Sequence, residues 1–283
     1  MNKNFVKMKS RKLGSFGILG FALLILPGIV FCQNKEKSYN KPELGQEGKD
    51  VVWYPTPPAL VDVMINMAEL TPADYLIDLG SGDGRIVIAA ARKGIKSVGI
   101  EFNPDLIEFS KENAKKEGVA DKTDFIEADF FEYDLSKATV ITMFLLPEIN
   151  RKLKPKLLEL KPGTRIITNS FSMQDWPHDE MEEINDESIS WNTAYMWIVP
   201  AKVDGTWKFK DGELKLSQNY QMVTGKINTG EISSNISEGK LRGNVLSFTC
   251  NGVNYNCTIN SSEMKGTSEN EGKTSVWEAK KLQ

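Results

Sequence analysis

Three acidic residues follow three apolar runs in the first half of this sequence, at positions where a ligand can be bound. Asp78 ends the run YLID and precedes the turn GSGDG, Glu101 ends SVGIE, and Asp129 ends FIEAD. Short apolar runs bounded by a glycine turn or a helical pattern are typical of buried strands. Because the carboxyl ends of parallel strands meet at one edge of a sheet, we expect the three carboxylates to border one cleft.

The glycine turn after Asp78 differs from the turn that binds dinucleotides. Its glycines, Gly80, Gly82 and Gly84, have the spacing G-x-G-x-G, whereas a dinucleotide site needs its third glycine at the position of Arg85. A dinucleotide also places its pyrophosphate at the start of the next helix, where the Asp78 carboxylate would repel it. A carboxylate there favours a ligand with an ammonium group. S-adenosylmethionine is such a ligand, because it joins a methionine tail to an adenosine and carries no phosphate.

The other two carboxylates suit the adenosine part of this ligand. Glu101 follows the turn by about 20 residues, where an acid can accept hydrogen bonds from both ribose hydroxyls. Asp129 is placed to accept a hydrogen bond from the adenine amino group, and the ring of Phe130 is placed to lie on the base. The predicted cofactor-binding residues from this reasoning are Asp78, Gly80, Ser81, Gly82, Gly84, Glu101, Asp129 and Phe130.

Short apolar runs alternate with helical patterns between Trp53 and Pro200. The predicted strands are 75–79, 96–101, 123–128, 138–144 and 164–170. The predicted helices lie near 58–69, 85–93, 104–117 and 147–160. Two further runs, MEEIN and TAYMWIVPA, can pair as a closing antiparallel hairpin. The alternation predicts an α/β domain over residues 53–200, with a Rossmann-like doubly wound sheet of seven strands.

The sequence changes its pattern after Pro200. Residues 201–283 show no helical period, and they alternate apolar and polar side chains between Gly or Asn breaks. This predicts an all-β module, either a small barrel or a sandwich. We expect Trp207 and Trp277 to pack in its core. Cys250 and Cys257 flank the turn NGVNYN and form a disulfide only if both point to the same face.

The first 32 residues predict a secretory signal or a membrane anchor. Residues 1–12 carry five basic side chains and no acid, and the apolar block FGILGFALLIL follows. Four interpretations stay open: a lipoprotein signal lipidated at Cys32, a signal cleaved after Cys32, an uncleaved anchor of about 20 residues, or a buried core helix. The first three predict an exported or membrane-anchored protein of the bacterial envelope, associated with the membrane through its N-terminus. Residues 33–52 are polar and charge-mixed, which predicts a linker.

The charge and residue types argue against several classes of function. Residues 53–200 hold 15 Lys and Arg against 25 Asp and Glu, so their net charge of −10 repels phosphate backbones and we expect no nucleic-acid partner. The only histidine is His178, in the polar context WPHDE, and no Cys/His cluster occurs. We therefore expect no metal site and interpret His178 as a surface loop residue.

Residues 53–200 resemble the class I S-adenosylmethionine-dependent methyltransferases, with DLGSGDGR as the first motif of that family, Glu101 as the second and Asp129 as the third. The segment YPTP, the run LLPEIN with its helix, and LKPGTRI are similar to a narrower group, the non-SET lysine methyltransferases. These comprise the histone type and the ATP synthase c-subunit type, with their prokaryotic relatives. The fourth predicted strand ends in MFLLPEIN and departs from the [DN]-P-P-[YF] motif of base and amide methylases.

The resemblance implies roles that the spacing alone leaves open. Tyr54 and Thr56 would close over the methionine end of the cofactor. Leu146, Glu148 and Asn150 would border the acceptor channel, with Glu148 and Asn150 as the catalytic residues. The alternative for LPEIN is an ordinary helix start, in which a proline opens the first turn and Glu148 is favoured by the helix dipole.

We therefore predict an S-adenosylmethionine-dependent methyltransferase that N-methylates protein lysine at or near a membrane, where a membrane protein is a suitable substrate. One alternative is the methylation of a lipid or small-molecule amine. Another is a non-catalytic module that binds an adenosyl ligand or a partner, and this alternative stays open because an export signal conflicts with a cofactor made in the cytoplasm. A nicotinamide oxidoreductase is disfavoured by Asp78 and Arg85.

Overall fold

The computed structural model describes residues 43–46, 52–186, 188 and 190–282. The signal or anchor predicted for residues 1–32 lies outside the described residues, as does most of the predicted linker 33–52. Within the described ranges, every helix is too short or too polar to cross a membrane. Part of the linker is described, and it contacts the next segment: the Gly45 amide donates to the Trp53 carbonyl at 3.1 Å, and the Trp53 amide to the Gln46 carbonyl at 3.0 Å.

The first part of the described chain forms a seven-stranded sheet with helices. Its helices are α1 (Pro58–Met67), α2 (Arg85–Arg92), α3 (Pro104–Lys116) and α4 (Pro147–Leu157). Its strands are β1 (Tyr75–Leu79), β2 (Lys96–Glu101), β3 (Thr123–Glu127), β4 (Val140–Met143), β5 (Arg165–Asn169), β6 (Glu180–Glu183) and β7 (Thr193–Ile198). The predicted Rossmann-like sheet and its closing hairpin are confirmed.

The strand order places a cleft at the carboxyl edge of this sheet. The order is β3-β2-β1-β4-β5-β7-β6, in which β1 to β5 are parallel and β7 is antiparallel to both of its neighbours. The chain turns to one side after β1 to form β2 and later returns to add β4 on the other side. Connections therefore diverge above β1 and β4, and doubly wound sheets bind ligands at such a switch point.

Local sequence explains where the helices start. Pro58, Pro104 and Pro147 each open a helix, where the missing amide proton of proline costs nothing. The Asn103 side chain caps α3 by accepting from the Asp105 amide at 2.9 Å. Gly84 precedes α2 with a φ of +77°, a conformation that side chains disfavour, so the chain can pass from the glycine turn directly into the helix.

The second part of the described chain is an antiparallel barrel. Its strands are β8 (Gly205–Phe209), β9 (Gly212–Asn219), β10 (Met222–Thr229), β11 (Ile232–Asn235), β12 (Ser237–Arg242), β13 (Val245–Cys250), β14 (Val253–Asn260), β15 (Glu263–Asn270) and β16 (Lys273–Lys281). Pairing of β9 with β10 closes a ring of eight strands, and β11 pairs with the same edge of β10 that pairs with β12. The all-β module predicted from the sequence is therefore a barrel.

Apolar side chains fill the interior of the barrel. Trp207, Leu214, Leu241, Leu246 and Met264 are all fully buried, and Trp277 is 9% exposed. An eight-stranded barrel is just wide enough for its own inward side chains to fill it. The two tryptophans pack in this core as predicted.

The two cysteines of the barrel are free thiols. Cys250 pairs in register with Val253, and Cys257 pairs with Leu246, so the two residues lie four positions apart along the β13–β14 ladder. Four residues of strand span about 13 Å, which is beyond the reach of a disulfide. Both thiols point inward, and burial raises the pKa of Cys257 to about 12.

Candidate active site

The carboxylate of Asp78 is buried at the end of β1. It is 3% exposed and accepts a hydrogen bond from Thr142 Oγ1 at 2.7 Å, from the neighbouring strand β4. Burial raises the pKa of Asp78 to about 7, against the lowering effect of the Thr142 hydrogen bond, and the nearby Asp83 and Glu101 carboxylates raise it further. A cation bound beside Asp78 would stabilise the ionised form, so the site is built for a positively charged ligand.

Glu101 is held at the end of β2 by backbone amides. Its Oε2 accepts from the Gly82 amide at 3.0 Å, and its Oε1 accepts from the amides of Phe102 and Asn103 at 2.8 and 3.0 Å. The carboxylate therefore links the glycine turn after β1 to the loop after β2. Its orientation is set before any ligand binds, since each oxygen already has a backbone donor.

Two glycines of the turn leave no room for a side chain at their own positions. A Cβ atom at Gly82 would lie 2.5 Å from Trp53 Nε1, and one at Gly84 would lie 2.7 Å from the ring of Phe125. Ser81 lies between Gly80 and Gly82, and its hydroxyl is buried without a hydrogen-bond partner. An unpaired buried hydroxyl beside Asp78 fits a ligand that presents a polar group to it.

The predicted cofactor residues gather around one cleft, which we name the carboxylate cleft. Its lining includes Trp53, Tyr54, Thr56, Asp78, Gly80, Ser81, Gly82, Asp83, Arg85, Glu101, Phe102, Leu106, Phe130 and Phe144. Gly84 and Asp129 are absent from this lining but adjoin lining residues in the chain, and Asp129 Oδ1 accepts from the Phe131 amide at 2.9 Å. The structure therefore brings together Asp78 and Glu101, and the direct contact predicted for Asp129 stays a prediction.

Arg85 ties the segment before α1 to the glycine turn. Its guanidinium pairs with Asp83 at 2.5 Å and donates to the Thr56 carbonyl at 2.6 Å. The Thr56 side chain is also buried, and its Oγ1 accepts from Asn169 Nδ2 at 3.2 Å. Sequence reasoning used Arg85 only to argue against a dinucleotide. Its structural role is to hold the backbone at Thr56 against the glycine turn.

A second cleft opens beside the first and is lined by rings. We name it the aromatic cleft, and it is lined by Val52, Tyr54, Phe144, Leu146, Phe171 and Trp191. The Trp191 ring centroid lies 5.3 Å from that of Phe171, 5.8 Å from Phe144 and 6.5 Å from Tyr54. Tyr54, Phe144 and Val52 line both clefts, so a ligand in one lies next to a ligand in the other.

The two residues predicted to be catalytic lie outside the lining of both clefts in the described structure. Glu148 is exposed and pairs with Arg151 at 2.9 Å. Asn150 is fully buried, and its Nδ2 donates to the carbonyls of Phe171 and Ser172 at 3.1 and 3.4 Å. Asn150 therefore holds the loop that carries Phe171, while the predicted catalytic roles stay predictions. Of the predicted acceptor residues, Leu146 is the one that lines the aromatic cleft.

Sequence reasoning missed Phe171 and Trp191. Phe171 follows β5, and Trp191 lies in the connection between β6 and β7 with a φ of +60°. An aromatic residue in a left-handed conformation is unusual, but this conformation is invisible in the sequence. No spacing rule links these residues to Tyr54 and Phe144, so their convergence had no sequence signal.

Comparison with known proteins agrees with this geometry. Residues 78–180 match the family model of the ANTKMT methyltransferase domain. The chain is 40% identical over 152 residues to a protein-lysine N-methyltransferase of Saccharolobus islandicus (strain REY15A), covering 53% of this chain and 94% of that protein. It is 39% identical over 107 residues to the human ATP synthase c-subunit lysine N-methyltransferase, covering 38% of this chain.

A solved methyltransferase structure is also similar to this chain. The crystal structure of an RNA methyltransferase from Salinibacter ruber in complex with S-adenosyl-L-homocysteine is 45% identical, covers 53% of this chain and 96% of its own, and has a TM-score of 0.50. The chain spans about half the length of its vertebrate relatives, 46% of the human protein and 47% of that of Xenopus laevis. The chain belongs to the class I S-adenosylmethionine-dependent methyltransferases, in the group that contains the archaeal protein-lysine and the ATP synthase c-subunit lysine methyltransferases.

Proposed function

We propose that this enzyme methylates the ε-amino group of lysine in a protein. The observation that carries the proposal is the aromatic cleft, which adjoins the carboxylate cleft and shares Tyr54 and Phe144 with it. A lysine side chain has an apolar stem that packs on rings and a charged end that ring faces attract within about 6 Å. The described lining of the aromatic cleft contains no charged side chain, so it suits a single long amine.

The residues of the carboxylate cleft suit the cofactor. Asp78 would hold the ammonium group of the methionine tail, and Glu101 would accept the ribose hydroxyls. The ring of Phe130 would cover the adenine. When bound, S-adenosylmethionine supplies a methyl group already activated on a positively charged sulfur. The protein then needs to align the acceptor and exclude water rather than provide a nucleophile.

The aromatic cleft would also prepare the acceptor. A lysine amine is mostly protonated at neutral pH and must lose its proton before it can attack a methyl group. Loss of water around the ammonium lowers its pKa, because desolvation disfavours the charged form, whereas attraction by ring faces acts in the opposite direction. Phe144, Phe171 and Trp191 provide such surroundings. The lysine ammonium would release this proton to water, so no described side chain needs to be assigned as a strong base.

The names of the relatives support lysine, and one neighbour points elsewhere. The archaeal and animal proteins are named as lysine N-methyltransferases, whereas the Salinibacter ruber structure is titled an RNA methyltransferase. The net charge of −10 over residues 53–200 disfavours RNA, because binding to phosphates requires basic side chains. We therefore propose a protein substrate and treat RNA as an outcome of the test.

The test uses the full chain with labelled S-adenosylmethionine and extracts of cells that express it. We expect label in methyllysine after acid hydrolysis of the protein fraction. Label that ribonuclease releases, or that partitions into a lipid extract, would overturn the proposal. Trp191→Ala should lower the rate by about 10-fold, the effect of losing one ring from a cation site, while cofactor affinity stays unchanged. Ile232→Ala, at an exposed position of the barrel, is the matched control.

We also propose that residues 1–32 keep the enzyme at a membrane of the bacterial envelope, where its protein substrate would be a membrane protein. The support is in the sequence: five basic residues precede a stretch from Leu13 to Asn34 that contains no charge. Fractionation of cells that express the full chain is the test. The protein should sediment with membranes, and a version starting at residue 33 should be released. Equal distribution of both forms would contradict membrane association.

A further inference from the structure

The 170–179 loop joins the aromatic cleft to the barrel. Its first part carries Phe171, whose ring lines the aromatic cleft. Its later part carries Trp176, which is 1% exposed and whose Nε1 donates to the side-chain oxygen of Gln221 at 3.0 Å. Gln221 also donates to the Pro177 carbonyl at 2.7 Å. One short loop is thus fixed between the acceptor side of the sheet and one turn of the barrel.

Tyr220, the residue before Gln221, adds two further contacts. Its ring stacks on Trp176 with centroids 5.7 Å apart and planes 14° apart. Its hydroxyl donates to Asp175 Oδ2 at 2.6 Å. Asp175 also pairs with Lys154 of α4, so helix, loop and barrel meet at this carboxylate. Tyr220 and Gln221 together contact three consecutive residues of the loop, 175–177.

The backbone of this barrel turn is unusual. Tyr220 and Gln221 form the two-residue connection between β9 and β10, and Tyr220 has a φ of +54°. A positive φ in a two-residue hairpin turn favours Gly, Asn or Asp at that position. Both residues have a positive φ at Asn251 and Gly252 between β13 and β14, whereas in this turn Tyr220 alone does. A tyrosine in a left-handed turn costs free energy, and such strain persists where surrounding contacts hold it in place. The contacts that hold it here are those to the 170–179 loop, together with the Lys154 ammonium 5.4 Å from the Tyr220 ring centroid and the Gln218 side chain, which donates to the Tyr220 carbonyl at 2.7 Å.

The burial of the Gln221 side chain also indicates that this turn is tied to the loop. Among the described residues of the barrel, Gln221 is the one buried side chain with a polar amide, and it is 2% exposed. Its two amide hydrogen bonds leave the barrel and end on the 170–179 loop. Buried amides are costly unless paired, so this pairing fixes the loop in one position.

We propose that the turn Tyr220–Gln221 positions the 170–179 loop, and through it Phe171, so that the barrel sets how well the acceptor side chain is bound. Tyr220 and Gln221 are positioning residues, since neither lines a cleft in the described structure. The inference rests on the proposed function in one respect, namely that the acceptor occupies the aromatic cleft. Cofactor affinity should not depend on this turn of the barrel, because the cofactor would be held by residues of the carboxylate cleft.

The experiment replaces the side chain and keeps the turn. Tyr220→Asn removes the ring and hydroxyl, whereas asparagine accepts the left-handed conformation better than tyrosine. We expect kcat/KM for the methylated protein fraction to fall about 10-fold, mainly through KM, with cofactor affinity unchanged within about twofold. Hydrogen exchange of the 170–177 amides should become faster. Tyr220→Phe, which keeps the stack on Trp176, should recover most of the activity.

The control makes the same backbone change elsewhere. Glu271→Asn alters an exposed barrel turn at a φ of +50° and should change neither acceptor kinetics nor exchange of the loop. Wild-type kinetics in Tyr220→Asn would overturn the inference, and so would an equal loss of cofactor affinity. Trp191→Ala tests the proposed function separately from this inference. If both Trp191→Ala and Tyr220→Asn leave methylation unchanged, the acceptor does not use the aromatic cleft. Faster exchange of the loop would still show the positioning contact.

Discussion

The open sheet and the closed barrel of this protein treat buried polar groups in opposite ways. At the carboxyl edge of the sheet, the polar side chains of Asp78, Ser81, Thr142 and Asn169 are buried. In the described barrel, the core consists of apolar and aromatic side chains, and the buried amide of Gln221 faces the sheet domain instead. Both regions contain β-strands, but the sheet buries polar side chains at its carboxyl edge, whereas the barrel interior excludes them.

The difference follows from how each set of strands is closed. An open doubly wound sheet leaves a gap where its connections diverge, and the cost of burying polar groups there is offset when a ligand binds. A closed eight-stranded barrel has no such gap, because its own side chains fill the interior. We conclude that the ligand-binding residues lie in the sheet domain, and that the barrel contributes through the contacts that its turns make.

The largest expected effect is the loss of cofactor binding in Asp78→Asn. Removing the carboxylate partner of a buried cation should weaken S-adenosylmethionine binding about 100-fold or more, measured by calorimetry. The unliganded variant should nevertheless be more stable at pH 8, by up to about 4 kcal/mol, because the wild type carries the cost of a buried charge that asparagine lacks.

The matched control for Asp78→Asn is Asp121→Asn, at an exposed position after α3. It should change neither binding nor stability. If Asp78→Asn bound the cofactor as tightly as the wild type, the buried Asp78 carboxylate would not be a cofactor-binding group. The difference in buried polar groups between the sheet and the barrel would then not reflect ligand binding.

The packing of the sheet domain and of the barrel can be compared at two glycines that have the same φ. Gly84 in the sheet and Gly252 in the barrel both have a φ of +77°, but a Cβ at Gly84 would meet the ring of Phe125, whereas one at Gly252 would meet nothing. Gly84→Ala should cost about 3 kcal/mol and Gly252→Ala about 1 kcal/mol of unfolding free energy, measured by denaturant titration. Equal costs would mean that the glycine turn is less tightly packed than we describe.

The pH dependence of cofactor binding below about pH 8 should report on Asp78. The pKa of the unliganded carboxyl is about 7, so below pH 7 the cationic cofactor must displace a proton. Affinity should therefore fall about 10-fold per pH unit below 7 and stay level from pH 7 to about 8, above which the α-amino group of the cofactor itself loses its proton. Asp78→Asn should show a flat profile. Calorimetry in buffers of different ionisation enthalpy should detect close to one released proton at pH 6.

The smallest effect is expected where the two regions meet. Asp179 Oδ2 accepts from the Ile198 amide at 2.9 Å, and its buried Oδ1 lies 3.8 Å from Lys240 of the barrel. Burial raises the pKa of Asp179 above its ordinary value, although the Ile198 amide and the charge of Lys240 oppose this. The folded state is thus penalised for ionising Asp179 as pH rises above 4.

Asp179→Asn should remove that penalty while keeping the bond to Ile198. We expect a gain of at most about 1 kcal/mol at pH 7 that disappears below pH 4, where the wild-type carboxyl is protonated in both states. Thermal unfolding at the two pH values measures it. A loss of stability at pH 7 would show that the pairing with Lys240 outweighs the cost of burial.

Much of the sheet and half of the site could be predicted from the sequence. The runs around Asp78 and Glu101 are continuous and apolar, so both strands and the carboxylates at their ends follow from local pattern. The family resemblance implies an acceptor-channel role for Asn150, yet its side chain holds the loop after β5. Phe171 and Trp191 carried no pattern at all, because what matters about them is which distant residues they meet.

The sequence by itself determined the parallel sheet, the glycine turn and the position of two carboxylates, because these depend on residues adjacent in the chain. The tertiary structure alone decided the aromatic cleft, where Tyr54, Phe144, Phe171 and Trp191 come from four separate segments. It also decided that the C-terminal module is a barrel, since the register of Phe209 with Ala279 joins strands far apart in the sequence. Alternation of apolar and polar residues is the same in a sandwich and in a barrel, and only long-range pairing separates them.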